Sequence, residues 1–309
     1  MERFFKLSKF DTTMKTEILA GLTTFITMAY IIFVNPSILA NAQGVTPDMI
    51  MALTIGTCLS AAFGSLMMGF YANLPFALAP GMGLNAFFAF TVATTLGYNG
   101  ALGAIFISGI LFMIITFLGW REAIVEAIPD NMKAAVEAGV GLFIAFIGLQ
   151  NAGIVVADPD TFVAVGDFST FAGAAPAIVS ISGLLMLGIL SKFKVKMALL
   201  LSIIFSTLLA FPLGLIEIPQ FMNWSDLDLS RTFFQMDFKP LFALGSGSFW
   251  SSVLSILTII IAFTLSDMFN ALGTFISMEK YIDMPDKDGN RRSMTKAMMT
   301  DAAATTAGA

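Results

Sequence analysis

The 309 residues contain no histidine and one cysteine, Cys58. Without histidine there is no imidazole metal ligand and no imidazole general base. One thiol forms neither an intramolecular disulfide nor a cysteine cluster. Zinc centres, Ser–His–Asp triads and Cys–His pairs are therefore excluded. Charge is scarce as well. Asp, Glu, Lys and Arg make up 12% of the chain, about half the roughly 25% of a soluble domain. No basic patch interleaved with aromatics occurs, and the net charge is −5, so nothing points to nucleic acid. What is abundant is apolar: 57% hydrophobic residues, with 31 Phe and 20 Met. Disorder has the reverse composition. A soluble domain would leave too much of this surface in water. The chain reads as an all-α polytopic membrane protein.

A membrane helix needs about 20 mostly apolar residues. Candidate spans fall at 18–40, 49–71, 76–96, 100–119, 132–156, 174–191, 197–214 and 250–278, with a ninth starting near 296. Cations test the sidedness. With the N-terminus in the cytoplasm, Arg3, Lys6, Lys9, Lys15, Arg121, Lys133, Lys192, Lys194, Lys196, Lys280, Lys287, Arg291, Arg292 and Lys296 lie inside. Only Arg231 and Lys239 lie outside. One span more or fewer would scramble this asymmetry. Ala40-Asn41-Ala42 resembles a signal-peptidase site, but the preceding apolar run is longer than a signal core of about 7–15 residues. Small residues at Gly139, Gly148, Ser65 and Gly69 read as close helix packing. The segment 121–130 reads as amphipathic, at the cytoplasmic surface. The outer stretch 215–247, with Trp224, Asp226 and Asp228, reads as interfacial, and Gly245–Ser248 as a hinge.

The third span is not a plain helix. Pro75, Pro80, Gly81 and Gly83 fall within residues 74–85, too many breakers for a continuous coil. The pattern predicts an extended piece through Phe76–Ala79, then a helix from near Gly83 to about Leu96. Six extended residues cover about 20 Å, and fourteen helical ones about 21 Å. With tilt these cross a hydrocarbon core of about 30 Å. A helix start near mid-membrane presents unpaired N–H groups and a positive dipole end, and Asn85 sits in its first turn. Discontinuous helices of this kind mark secondary transporters. A proline kink in an ordinary packing helix is the plainer alternative. Unpaired backbone in lipid costs several kcal/mol per group. The extended piece must therefore pair, most simply with an equivalent strand from a second broken span.

Asp267 lies near the middle of the run Val253–Met278 and is the acid placed deepest. Asp301, five residues past Lys296, reads as near an interface, and Glu137 as near the start of the fifth span. An intramembrane carboxylate is a functional-site candidate by default. Asn270, at i+3, shares its helix face, and Thr274 continues it. No cation lies at this depth, which suits a proton-carrying or neutral hydrogen-bonding role for Asp267. A structural interhelical hydrogen bond is the alternative.

Four segments carry a family resemblance: Thr24–Leu39 (TFITMAYIIFVNPSIL), Ala79–Phe88 (APGMGLNAFF), Ala138–Val155 (AGVGLFIAFIGLQNAGIV) and Asp267–Thr274 (DMFNALGT). They resemble the AzgA-like purine permeases of the nucleobase–cation symporter superfamily, along essentially the whole chain. The resemblance implies the uracil-permease fold: fourteen spans in two inverted repeats of seven, with broken third and tenth spans meeting as a strand pair at the substrate. Part of each repeat forms a core carrying the site and part forms a gate. It also implies uptake of hypoxanthine, guanine or adenine, commonly with protons. Asn85 matches the family's Asn after Gly-Met-Gly-Leu, and Asp267 its first eighth-span acid. The family reads Asp-x-Phe-Asp-x-x-Gly-Thr, so Asn270 replaces an acid.

On this reading, 1–214 form the first repeat, 215–249 the outer loop and hinge, and 250–309 the start of a second repeat that stops within its ninth span. Such a chain is expected to be a fragment that neither binds a purine tightly nor transports it alone. Substrate-binding residues are expected at Gly81, Gly83, Asn85, Asp267 and Asn270, with Asp267 also coupling the proton. Phe25, Phe87 and Phe88 are candidates for stacking. The proton gradient serves in place of a cofactor, and no metal is expected. The partners are a purine, the bilayer of the cell membrane and a homodimer mate. An anion carrier is disfavoured by the lack of deep cations. A channel is disfavoured by the lack of an acid ring, and a membrane enzyme by the lack of a second deep acid.

Overall fold

The computed structural model describes residues 5, 7, 12–120, 129–195, 197–216, 229–243, 249–282 and 294–309. The surface segment expected from Arg121, Trp224, Asp226, Asp228, the hinge Gly245–Ser248 and the cluster Lys287–Arg292 lie outside the described residues.

The first apolar run folds as two helices, α1 (Met14–Met28) and α2 (Ile31–Leu39), parted by a turn at residues 29–30. Pro36 sits within α2, where it withholds one backbone donor from the helix. A 3₁₀ turn, Pro47–Met49, leads into α3 (Ile50–Met67). Pro47 takes the first helical position, where a missing N–H costs nothing. A π-helical turn, Met68–Ala72, follows and stops at Asn73 in the left-handed conformation, φ 54°. Residues 74–81 contain no helix. The chain turns helical again at α4 (Met82–Phe87), passes a second π-helical turn, Phe88–Val92, and continues as α5 (Ala93–Phe117).

Gly97 interrupts α5 with φ 70° and ψ 168°, open mainly to glycine. Tyr98 donates its N–H to the Gln43 carbonyl at 2.8 Å, pinning the turn. This places a kink where the sequence separates the third and fourth spans. The extended piece, the helix start and this break all lie within two residues of their predicted places.

By contact the chain divides into two units. One holds Met1–Leu22, Ile31–Ala138 and Trp224–Ala309; the other holds Thr23–Tyr30 and Gly139–Asn223. α6 (Asp130–Asn151), whose residues 139–151 fall in the second unit, ends earlier than the fifth span was expected to. Gly153, at φ 66°, follows the helix end, a common glycine stop. An antiparallel hairpin comes next, β1 (Val155–Asp158) with β2 (Phe162–Val165), pairing Val155 with Val165 and Asp158 with Phe162. It is the one β element among the described residues. Its sequence cue is two Val-rich runs around Asp-Pro-Asp. Thr170 caps α7 (Phe171–Lys192) by accepting the Gly173 N–H at 3.2 Å. α8 (Ala198–Ala210) packs back on α7. A Cβ on Gly183 would meet the Ser206 hydroxyl, which would have to turn away, so the two helices lie close here.

In the first unit, the short α9 (Lys239–Ala243) and the long α10 (Phe249–Ile282) precede α11 (Met294–Gly308). α11 packs on α3 and α5. The approach is close because the contacts are small: a Cβ on Gly109 would strike Thr306, and one on Gly64 would lie 3.1 Å from the Ala304 Cβ. Gly69, Gly139 and Gly148, the glycines of the small-residue spacings, have nothing within 4 Å of an added Cβ. Helix packing uses Gly64, Gly109 and Gly183 instead. The core joins Met68, Leu74, Phe112, Met268, Met298 and Ala302. Leu19, Phe33, Leu184 and Trp250 point outward and are more than half exposed, as suits hydrocarbon rather than water. Among the described residues, five helical stretches are long and apolar enough to cross a bilayer, and Met82–Phe117 is one of them despite its break at Gly97.

Candidate functional site

The site grows from the break in the third span. Pro75 and Pro80 keep residues 74–81 out of a helix, and the first amide beyond the break to re-enter a helical bond is Asn85 N–H, which bonds the Gly81 carbonyl at 3.0 Å. No side chain caps α4 at Gly81. The extended backbone finds a partner nearer than expected. The Ser65 hydroxyl of α3 accepts the Leu78 N–H and donates to the Leu78 carbonyl, both at 3.1 Å. A hydroxyl can do both, so at Leu78 one serine satisfies the backbone that was expected to need a second strand.

A cavity of about 610 Å³ opens beside this break, lined from α2, α3, α4, α5, α10 and α11. Gly81, Asn85, Asp267 and Asn270 all line it. Gly83 lies in the first turn of α4 and is not among the lining residues. Gly81 has ordinary extended backbone, φ −75° and ψ 111°, so its glycine serves proximity. A Cβ there would lie 3.0 Å from the Asn270 amide nitrogen. α10 and the broken span thus meet with Asn270 against bare backbone.

Asp267 is 5% exposed. The Thr305 hydroxyl of α11 bonds its carboxylate. Among the described residues nothing hydrogen-bonds its Oδ2, although a buried polar atom is ordinarily paired. Thr274, one turn beyond Asn270, donates instead to the Asn270 carbonyl at 2.9 Å.

Asp301 corrects the sequence reading. It lines the same cavity and lies within electrostatic reach of Asp267. Its short distance in sequence from Lys296 misled. Five helical residues rise about 7.5 Å and turn well past a full circle. Lys296 stays exposed, 5.7 Å from the Tyr71 ring centroid, while Asp301 reaches the pocket. Thr57 and Asn35 are also cavity residues not singled out in sequence. Asn35 had a signal, a lone amide within an apolar run beside a proline. Among the stacking candidates, Phe88 lines the cavity and meets Tyr98 edge-on at 5.7 Å. Phe87 meets Phe263 at 5.1 Å. Phe25 is 55% exposed and does not line the cavity.

The arrangement combines two carboxyls, three primary amides, several hydroxyls and aromatic walls, with no basic side chain among the described lining residues. It can hold a small neutral solute by hydrogen bonds at its rim and apolar contact on its faces.

Comparison with known proteins accords with this chemistry. The family model described as Permease family (Xan_ur_permease) matches residues 15–309. Adenine permease AdeP of Escherichia coli strain K12 is 36% identical over 310 residues, covering 100% of this chain and 65% of the relative. Guanine/hypoxanthine permease PbuO of Bacillus subtilis strain 168 is 36% identical over 313 residues, covering 99% and 68%. Guanine/hypoxanthine permease PbuG of the same strain is 34% identical over 320 residues, covering 100% and 69%. The chain spans about two thirds of the length of these relatives. A multi-pass helical chain, matched from residue 15 to its last residue, belongs to this permease family and is a transport protein rather than an enzyme.

Proposed function

We propose that this chain carries the substrate site of a purine nucleobase permease, which takes up hypoxanthine, guanine or adenine with protons by alternating access. The observation that carries the reading is the cavity between the interrupted third span and Asp267, whose Oδ2 has no bonded partner among the described residues. A purine is flat, with N–H donors and lone pairs around its rim. Asn85, Asn270, Asp267 and Asp301 offer the complementary groups, and Phe88 and Phe263 offer apolar wall. The lack of a lining cation supports a neutral base over an anion. The names of the relatives, adenine and guanine/hypoxanthine permeases, support the purine class.

In this reading Asp267 accepts a ring N–H or carries the coupled proton, and Asp301 supplies a second carboxyl to the same pocket. Gly81 and Gly83 form the helix start that offers backbone N–H groups. Asn270 lies against Gly81 and sets base preference. Every residue assigned to the site lies in the first unit, which is read as the site-bearing core, and the second unit as the gate. The N-terminus is assigned to the cytoplasm of a plasma-membrane protein, on the charge asymmetry of the loops.

Radiolabelled hypoxanthine uptake by the intact permease, in cells without purine uptake of their own, tests the reading. Saturable uptake, competed by guanine or adenine and reduced by a protonophore, is expected. Uptake indifferent to the protonophore would remove proton coupling. No uptake competed by any purine would remove the substrate class.

A further inference from the structure

Asn85 is the last member of a file of hydrogen bonds. Its Nδ2 donates to Oδ1 of Asn35 in α2. Asn35 Nδ2 donates to Oγ1 of Thr57 in α3 at 2.8 Å. The Thr57 hydroxyl donates to the Leu53 carbonyl at 2.7 Å. Asn35 and Thr57 are 3% and 4% exposed, so water does not offer them other partners. Three side chains from three separate elements thus form one continuous relay.

The relay has a direction, set at its far end. A carbonyl only accepts, so the Thr57 proton points at Leu53 and the Thr57 oxygen is left as an acceptor. Asn35 must therefore turn its NH₂ toward Thr57 and its oxygen toward Asn85. Asn85 must then turn its own NH₂ toward Asn35. This leaves the Asn85 carbonyl oxygen for the cavity that Asn85 lines. The two ends of an amide are nearly the same size, so its partners alone decide which end faces where. Buried networks of this kind fix one arrangement when every member is satisfied.

We propose that Asn35 and Thr57 are positioning residues that lock Asn85 with its carbonyl oxygen toward the substrate, so that the site demands a hydrogen-bond donor from the base at that point. The inference rests on the purine reading above and deepens it to a determinant of specificity. Hypoxanthine and adenine invert donor and acceptor along one edge: N1–H beside O6 in one, bare N1 beside an amino group in the other. A locked acceptor discriminates between these edges. An amide free to turn over serves both.

The test has two readouts. The first needs no substrate: the side-chain amide signal of Asn85 in the chain labelled with ¹⁵N-asparagine. Thr57→Val removes the anchoring hydroxyl at nearly constant volume, and Thr57→Ser keeps it. The Asn85 signal is expected to shift and exchange faster in Thr57→Val and to stay in place in Thr57→Ser. The second readout is the ratio of hypoxanthine to adenine inhibition constants for uptake by the intact permease. That ratio is expected to move toward one by about tenfold or more in Thr57→Val and to be kept in Thr57→Ser. A merely structural role would weaken both bases equally and leave the ratio alone. If Thr57→Val does not fold, Asn35→Leu cuts the relay at its middle and is expected to act the same way. An Asn85 signal unchanged by cutting the relay, or a ratio unchanged while the signal moves, overturns the proposal. If the unaltered permease takes up no purine, the function proposed above falls, and the amide signal still decides whether the relay locks Asn85.

Discussion

In the proposed reading, Asp267 is the residue on which the chemistry turns. It is buried, bonded by one hydroxyl and otherwise open to the cavity. Among the described residues no cation lines the cavity to pair with it, and its one bond comes from the Thr305 hydroxyl, so replacement with alanine costs that single hydrogen bond and otherwise falls on substrate and proton rather than on an ion pair. In the intact permease Asp267→Ala is expected to abolish uptake, and Asp267→Asn to lose most transport or its proton dependence, read as initial rates across pH. Unchanged kinetics in Asp267→Ala would remove this residue from the site. Asn270→Asp puts a third carboxyl beside Gly81 and is expected to shift base preference or the pH optimum. Identical competition and pH profiles would make Asn270 structural. At this scale the sequence was legible where chemistry is rare. One Asp in a long apolar run and one Asn after a helix breaker stand out. Asp301 and Thr57 did not. Their importance comes from which face of a helix meets the cavity, and spacing from a charged neighbour does not disclose a face.

Among the elements, glycine separates packing that is needed from packing that is incidental. Gly109 meets Thr306 where α5 crosses α11, whereas Gly69 has nothing within 4 Å. Gly109→Ala is expected to destabilise by about 1–3 kcal/mol through overpacking, and Gly69→Ala to be neutral or mildly stabilising. Thermal unfolding in detergent measures both, and equal effects would contradict the packing described. The small-residue spacing alone does not tell these glycines apart, because it registers size and not the presence of a neighbour. The broken span was legible because proline and glycine act locally, through missing donors and open dihedrals. Its pairing with Ser65 was not, since that bond joins residues on two separate elements. The hairpin offers a pH test outside the membrane helices. Asp158 accepts the N–H of Asp160 and both the N–H and hydroxyl of Thr161, which hold its carboxyl below its ordinary value. The bonded form is the ionised one. Its support of the turn is therefore complete above the ordinary carboxylate range and is lost as pH falls through the lowered value. Protection of the amides of 155–165 against exchange, taken relative to the intrinsic rate at each pH, is expected to fall only at acid pH, and Asp158→Ala to remove that dependence.

For the whole molecule, the balance of apolar and charged residues set the class. The residues that make a site came together only through packing. α10 and α11 lie almost two hundred residues from the broken span in sequence, and their contact with α3, α4 and α5 brings two acids and three amides around one space. The central claim is that a purine lies in that space. Its most direct test is photolabelling of the intact permease with 8-azidoadenine, with the modified peptides mapped by mass spectrometry. The account predicts labelling within 78–88 or 263–270 that excess hypoxanthine suppresses. Label confined to α7 and α8, or label that hypoxanthine leaves undiminished, would contradict it.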